Sequence, residues 1–210
     1  MSTEITRDLK KKFTTFCREI GGTPQLVEYQ GEIFNAFLLC LSAKKFPDPK
    51  KLVDLMREAS DLSEKFPSGS YMRLFFSAKE GTLEHIPGTH ILGQVKYQPE
   101  GRGYIRLPEY KEHSIRIERG VPYEYVKETP WLEKELNALL ERELEGEKGW
   151  DYDCGIDPNP PYSASLICSL LHKTTNKREG KPNFDRILRI IEKFKEVSEQ
   201  EPSPSRNPSG

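Results

Sequence analysis

The chain of 210 residues is 35% hydrophobic and 31% charged, and its 32 basic and 33 acidic side chains sum to a net charge of −1. Leu, Ile, Val and Phe supply 50 of the 210 residues, enough for a packed core. The longest apolar run, the six residues 36–41, falls far short of the roughly 18 needed to span a bilayer, so the composition excludes a membrane protein, a disulfide scaffold and a fibrous repeat.

The first predicted element is a helix. Thr3 offers an N-cap, Ile5, Leu9, Phe13, Phe16, Cys17 and Ile20 recur on one face, and Gly21-Gly22 end it. Gln30-Gly31, between two apolar runs, predicts a hairpin turn because glycine tolerates positive φ. Its second arm, 33–41, fits both periods; a buried strand is preferred over a helix. Pro47-Asp48-Pro49 opens a second helix whose stripe is Leu52, Leu55, Met56, Ala59, Leu62 and Phe66. Strands follow at 71–78, 90–97, 103–110 and 113–120, joined by turns rich in Gly and Pro. Ile115 and Ile117, alternating with Arg116 and Glu118, carry the clearest period of two.

Thr129-Pro130 starts a third helix, lined by Trp131, Leu132, Leu136, Leu139, Leu140 and Leu144. Residues 146–161 read as irregular, and 162–172 and 184–197 as two further helices split by a polar loop. Strands cluster in the middle instead of alternating with helices. The expected class is therefore α+β, a mainly antiparallel central sheet with flanking helices and a C-terminal helical region. The expected organisation is an α+β core over 1–129, a helical region over 130–199 packed on it, and a disordered Pro/Ser tail over 200–210.

The near-neutral total conceals an uneven distribution. Residues 120–160 carry 11 acids and 4 bases, a balance of −7, and residues 161–195 carry 8 bases and 3 acids, a balance of +5. Pairing of the two segments as neighbouring helices is the preferred reading, over separate partners for each. Cys17, Cys40, Cys154 and Cys168 are scattered, and the N-terminus has no apolar signal region, so four buried reduced thiols in a cytoplasmic protein are expected.

Several constellations bear on function. Lys96, Tyr97, Arg102, Tyr104, Arg106, Tyr110, Lys111, His113, Arg116 and Arg119 interleave cations with aromatic rings on neighbouring strands. Cations meet phosphates and tyrosines stack on bases, so this pattern points to single-stranded nucleic acid. Lys173, Lys177, Arg178, Lys181 and Arg186 surround an interhelical loop and form a second basic candidate. Gln94 and Lys96, behind Glu80 and Glu84, are similar in part to the acid and Q-x-K arrangement of restriction-endonuclease-like nucleases, without the upstream Asp. That resemblance implies an acid-held divalent metal and a lysine beside the attacking water.

Cys154, Cys168 and His172 are three soft ligands lacking a fourth for zinc, and the acidic run Asp151, Asp153, Asp157 lacks the glycine and the terminal carboxylate of a calcium loop. No metal or cofactor is therefore assigned. His85 and His90 flank Pro87-Gly88 without a catalytic partner, and no G-x-S-x-G, phosphate-cradling loop or H-E-x-x-H is present. The sequence thus favours a non-enzymatic binding or adaptor protein, an accessory subunit of a nucleoprotein or protein assembly. Nucleic acid would meet the basic-aromatic strands, and a protein partner the acidic segment 133–157. The alternatives are a metal-dependent nuclease using Glu80, Glu84, Gln94 and Lys96, and a purely protein-binding module.

Overall fold

The computed structural model of the chain describes residues 7–30, 34–63, 71–78, 89–98, 110–160, 163–174 and 181–199. They form α1 (Arg7–Glu19), β1 (Thr23–Gln30), β2 (Phe34–Ala43), α2 (Pro49–Ser63), β3 (Tyr71–Ala78), β4 (Thr89–Gln98), β5 (Tyr110–Pro122), α3 (Tyr123–Glu128), α4 (Leu132–Leu144), β6 (Trp150–Asn159), β7 (Ser163–Thr174) and α5 (Phe184–Glu199). All seven strands join one sheet in the order β1-β2-β3-β4-β5-β7-β6. Neighbours are antiparallel except β2 and β3, which run parallel, as strands joined through the intervening helix α2 are free to do. The class is α+β, as the sequence predicts.

The apolar stripes are what hold the helices to the sheet. Leu9, Phe13, Phe16 and Cys17 bury one face of α1, and Leu132, Leu136, Leu139, Leu140 and Leu144 bury one face of α4. On the strands, every second residue points at these helices: Leu38 and Cys40, Met72, Leu74 and Phe76, Ile91, Ile115 and Ile117, and Leu166, Cys168 and Leu170 are all buried. Each fully buried side chain of this size stabilises the fold by roughly 1.5–3 kcal/mol, so the sheet's inner face dominates its energetics. Phe13 and Phe16 close on Phe76 with ring centroids 5.1 and 5.5 Å apart, which seats α1 on the sheet.

Residue pairing settles the ambiguous segment 33–41 as strand β2, from Phe34 on. Two other expectations are corrected. Residues 163–174, expected as a helix within 162–172, form strand β7, and 150–159, expected as irregular, form its edge partner β6. Residues 130–199 therefore give two helices and two strands of the same sheet, not a helical region alone. Strand β7 lies between β5 and β6 and is apolar on both faces, with Leu166 and Leu170 inside and Ile167 and Leu171 half-buried outside. Such a two-faced run imitates helical spacing. Trp131, expected in the buried stripe of α4, precedes the helix and is 44% exposed. Thr129, expected as its N-cap, instead donates its hydroxyl to the Tyr125 carbonyl at 2.7 Å and closes α3.

The expectation of four reduced thiols is also corrected. Cys17 of α1 and Cys40 of β2 form a disulfide, while Cys154 and Cys168 are free and buried. Gly22 makes room for the bond: a Cβ there would lie 2.5 Å from the Cys40 sulfur and 2.9 Å from that of Cys17. Gly21, at φ 75°, takes the left-handed conformation that ends α1. Among the described residues no helix is long and apolar enough to cross a membrane. The expected tail, 200–210, lies outside the described residues, as do Thr3, Ile5 and Gly31.

The uneven charge resolves in part within the fold. Arg189 of α5 meets Glu143 of α4 at 2.8 Å, and Arg186 meets Glu147, just past the end of α4, at 3.1 Å, so the acidic and basic segments pair along α4 and α5. Arg189, aided by Arg142, holds the Glu143 carboxyl below its usual range, chiefly through the Arg189 hydrogen bond.

Candidate interaction face on the open side of the sheet

All the alternate strand residues that miss the helices fall on the other side of the sheet. Phe37 and Leu39, Phe75, Leu92, Ile167 and Leu171 are half-buried there, and no described element lies over them. Register aligns them across strands: Leu39 opposes Phe75, Phe75 opposes Leu92, and Leu92 opposes Arg116. The result is an apolar band running from β2 to β4. Arg73 extends it, its guanidinium 5.5 Å from the Phe37 ring centroid.

Towards β6 the face becomes concave and charged. A groove of about 410 Å³ is lined by Leu92, Ser114, Arg116, Ser169 and Leu171, with Asp151 and Asp153 on its far wall. Arg116 pairs with Glu118 at 3.4 Å, while Asp151, Asp153 and Asp157 project from alternate positions of β6 and are exposed. By strand parity, the positions of Arg73, Lys96, Arg116 and Lys173 share this face with those of Glu112, Glu118, Asp151, Asp153 and Asp157. Among the described strand positions acids thus exceed bases by one.

The sequence-predicted basic-aromatic set is not assembled on one surface. Arg116 lies on the open face. Arg119 lies at an inward position near Tyr125, whose phenol is pushed up by burial and drawn back by that guanidinium. Lys96 and Tyr97 occupy β4 opposite Glu112 and Lys111, and Tyr110 opposite Gln98 begins β5. Arg102, Tyr104 and Arg106 lie outside the described residues. In the second basic set, Lys173 is exposed at the end of β7, Lys181 pairs with Asp61 of α2, and Arg186 is engaged by α4; Lys177 and Arg178 lie outside the described residues.

For the nuclease arrangement, Gln94 sits on β4 opposite Ser114, and Glu80 and Glu84 lie outside the described residues. His85 lies outside them too, and His90 falls on β4 opposite Glu118, as the predicted strand 90–97 implies. The three soft ligands separate: Cys154 opposes Cys168 across β6 and β7, but His172 stands four residues further along β7, about 13 Å away at strand rise. Among the described residues no group of metal-ligating side chains forms.

Sequence reasoning missed a buried polar cluster. Ser60 of α2 and His113 of β5 share a 2.7 Å hydrogen bond, and both are buried, at 0% and 2% exposure. The pair has the reach of a nucleophile and base, but such burial denies any substrate access, so it ties helix to sheet. His172 stands with its ring 6.0 Å from His113 and 4.8 Å from Trp150. Burial pushes the His172 pKa down, against an opposing pull from Glu147 and the Lys148 backbone. The one signal for this cluster was the inward parity of His113 with Ile115 and Ile117. The thiols of Cys154 and Cys168 are likewise inert: their mutual hydrogen bond and burial push Cys168 well up.

No family model, no curated protein and no solved structure matches the chain.

Proposed function

We propose that this chain is a non-catalytic binding protein that holds a polypeptide partner on the open face of its sheet. The observation that carries the reading is the set of apolar residues Leu39, Leu92, Ile167 and Leu171, half-buried at outward positions of β2, β4 and β7. Contiguous apolar surface rimmed by polar groups marks interaction sites. A polypeptide suits the groove wall better than a polyanion does, because Asp151, Asp153 and Asp157 are exposed on outward positions of β6 and would repel phosphates. The exposed Asp151 and Asp153 at the groove wall supply sites for cationic side chains of the partner. A cytoplasmic setting is compatible with the Cys17–Cys40 bond, since both residues are 0% exposed and shielded from thiol reductants.

A photo-crosslinking residue at Leu92 or Leu171, with the same residue at Glu141 on the exposed side of α4 as control, tests the reading in a native extract. The expected result is a discrete polypeptide adduct from the sheet positions only. Adducts to nucleic acid, or salt-sensitive retention on single-stranded nucleic acid that Arg73→Ala with Arg116→Ala abolishes, would replace the reading with a nucleic-acid-binding one.

A further inference from the structure

The two edges of the sheet differ in chemistry, and the β1 edge is the unguarded one. Among the described residues nothing pairs with the outer side of β1. Leu26 and Val27, in the middle of the strand, are 43% and 38% exposed; of the described large apolar side chains only Trp131 is comparably exposed. Being successive residues, they project to opposite faces, so this exposure belongs to the edge and to neither face alone. Glu28, the strand's one charged residue, is bound by Lys10 of α1 and leaves the edge without net repulsion.

We infer that β1 is a self-association edge, through which two copies of the chain join β1 to β1 in antiparallel pairing about a two-fold axis normal to the sheet. Free backbone donors and acceptors in a row are matched only by another strand. The far edge of a second copy is a poor match. On β6 the Asn137 side chain already engages both backbone groups of Cys154, and Asp151, Asp153, Asp157 and Pro158 flank it. That leaves β1 itself.

Symmetry then restricts the register. A two-fold axis normal to the sheet keeps each residue on its own face, so opposed residues share parity. Centring on Leu26 or Val27 sets one apolar side chain against its own counterpart. In either register Glu28 falls opposite Pro24 or Leu26 of the other copy, and never opposite its own counterpart. Pro24 withdraws one donor near the strand's start and leaves Gln25 to Gln30 able to pair. Val27 opposes Phe37 within each copy, so the apolar bands of both open faces would continue across the axis.

Sedimentation equilibrium and hydrogen exchange of the full chain, followed against concentration, test the inference. A reversible dimer is expected, with exchange at residues 25–28 slowing as concentration rises. Val27→Lys should raise its dissociation constant by about tenfold or more, since an edge lysine blocks strand pairing. Glu135→Lys, exposed on α4, should leave it unchanged. A chain that stays monomeric overturns the proposal. So does a dimer in which β1 exchange ignores concentration, or one that Val27→Lys does not weaken. Should Val27→Lys fail to fold, the wild-type exchange pattern decides alone.

Discussion

The two edge strands of this sheet solve the same problem in opposite ways. On β6, Asn137 of α4 accepts the Cys154 N–H at 3.2 Å and donates to its carbonyl at 2.7 Å, so a side chain stands where a neighbour's strand would bind. Exposed aspartates at alternate positions and Pro158 complete the protection. On β1 no described residue plays that part, and Leu26 and Val27 are exposed in its place. Unpaired backbone is tolerable at an edge only when it is capped, repelled or used. One edge is capped and repelled; the chemistry of the other fits use.

The contrast yields measurable consequences. The largest concerns the support beneath β1. Cys17→Ala with Cys40→Ala removes the bond that ties α1 to β2, the strand partner of β1 among the described residues. A loss of about 3 kcal/mol in urea unfolding is expected, with hydrogen exchange accelerating first in β1 and β2. Next, Asn137→Ala strips the cap from β6 and leaves both Cys154 backbone groups unpaired. About 2 kcal/mol of stability should go, and light scattering should rise with concentration as a second open edge is created.

A pH effect distinguishes the β6 and β7 side further. Burial lowers the His172 pKa, so as pH falls through about 6.5 the unfolded chain takes up a proton before the folded one does. The contribution is fully present above that pH and declines below it, until the folded-state value is passed. Urea midpoints between pH ~7.5 and ~5.5 should show this decline, and His172→Gln should flatten it. The smallest effect on stability belongs to the β1 edge itself. Val27→Lys should shift unfolding by no more than about 0.5 kcal/mol, because its side chain is already partly exposed, while weakening association about tenfold or more.

How much was legible in advance follows from how many neighbours each segment has. The stripes of α1, α2, α4 and α5 were readable because each helix buries one face and wets the other. Ile115 and Ile117 on β5 were readable for the same reason at a period of two. Strand β7 was not. Its two apolar faces remove the alternation, and Leu166 with Leu170, four apart, imitates a helix. The open face was equally hidden: its members come from strands far apart in the chain, and only register brings Phe75 beside Leu39 and Leu92. The basic-aromatic set was legible as composition, yet Arg116 and Arg119 fall on opposite sides of the sheet because three residues separate opposite parities.

By itself the sequence determined the α+β class, the helical stripes and the existence of neighbouring acidic and basic segments, since periodicity and local charge are properties of contiguous residues. Tertiary structure decided which strands lie at the edges, that Cys17 reaches Cys40 across 23 positions, and that Arg186 and Arg189 meet Glu147 and Glu143. Each of those depends on long-range pairing, where a gain of packing must exceed the entropy of closing a loop, and no local pattern records which closure wins.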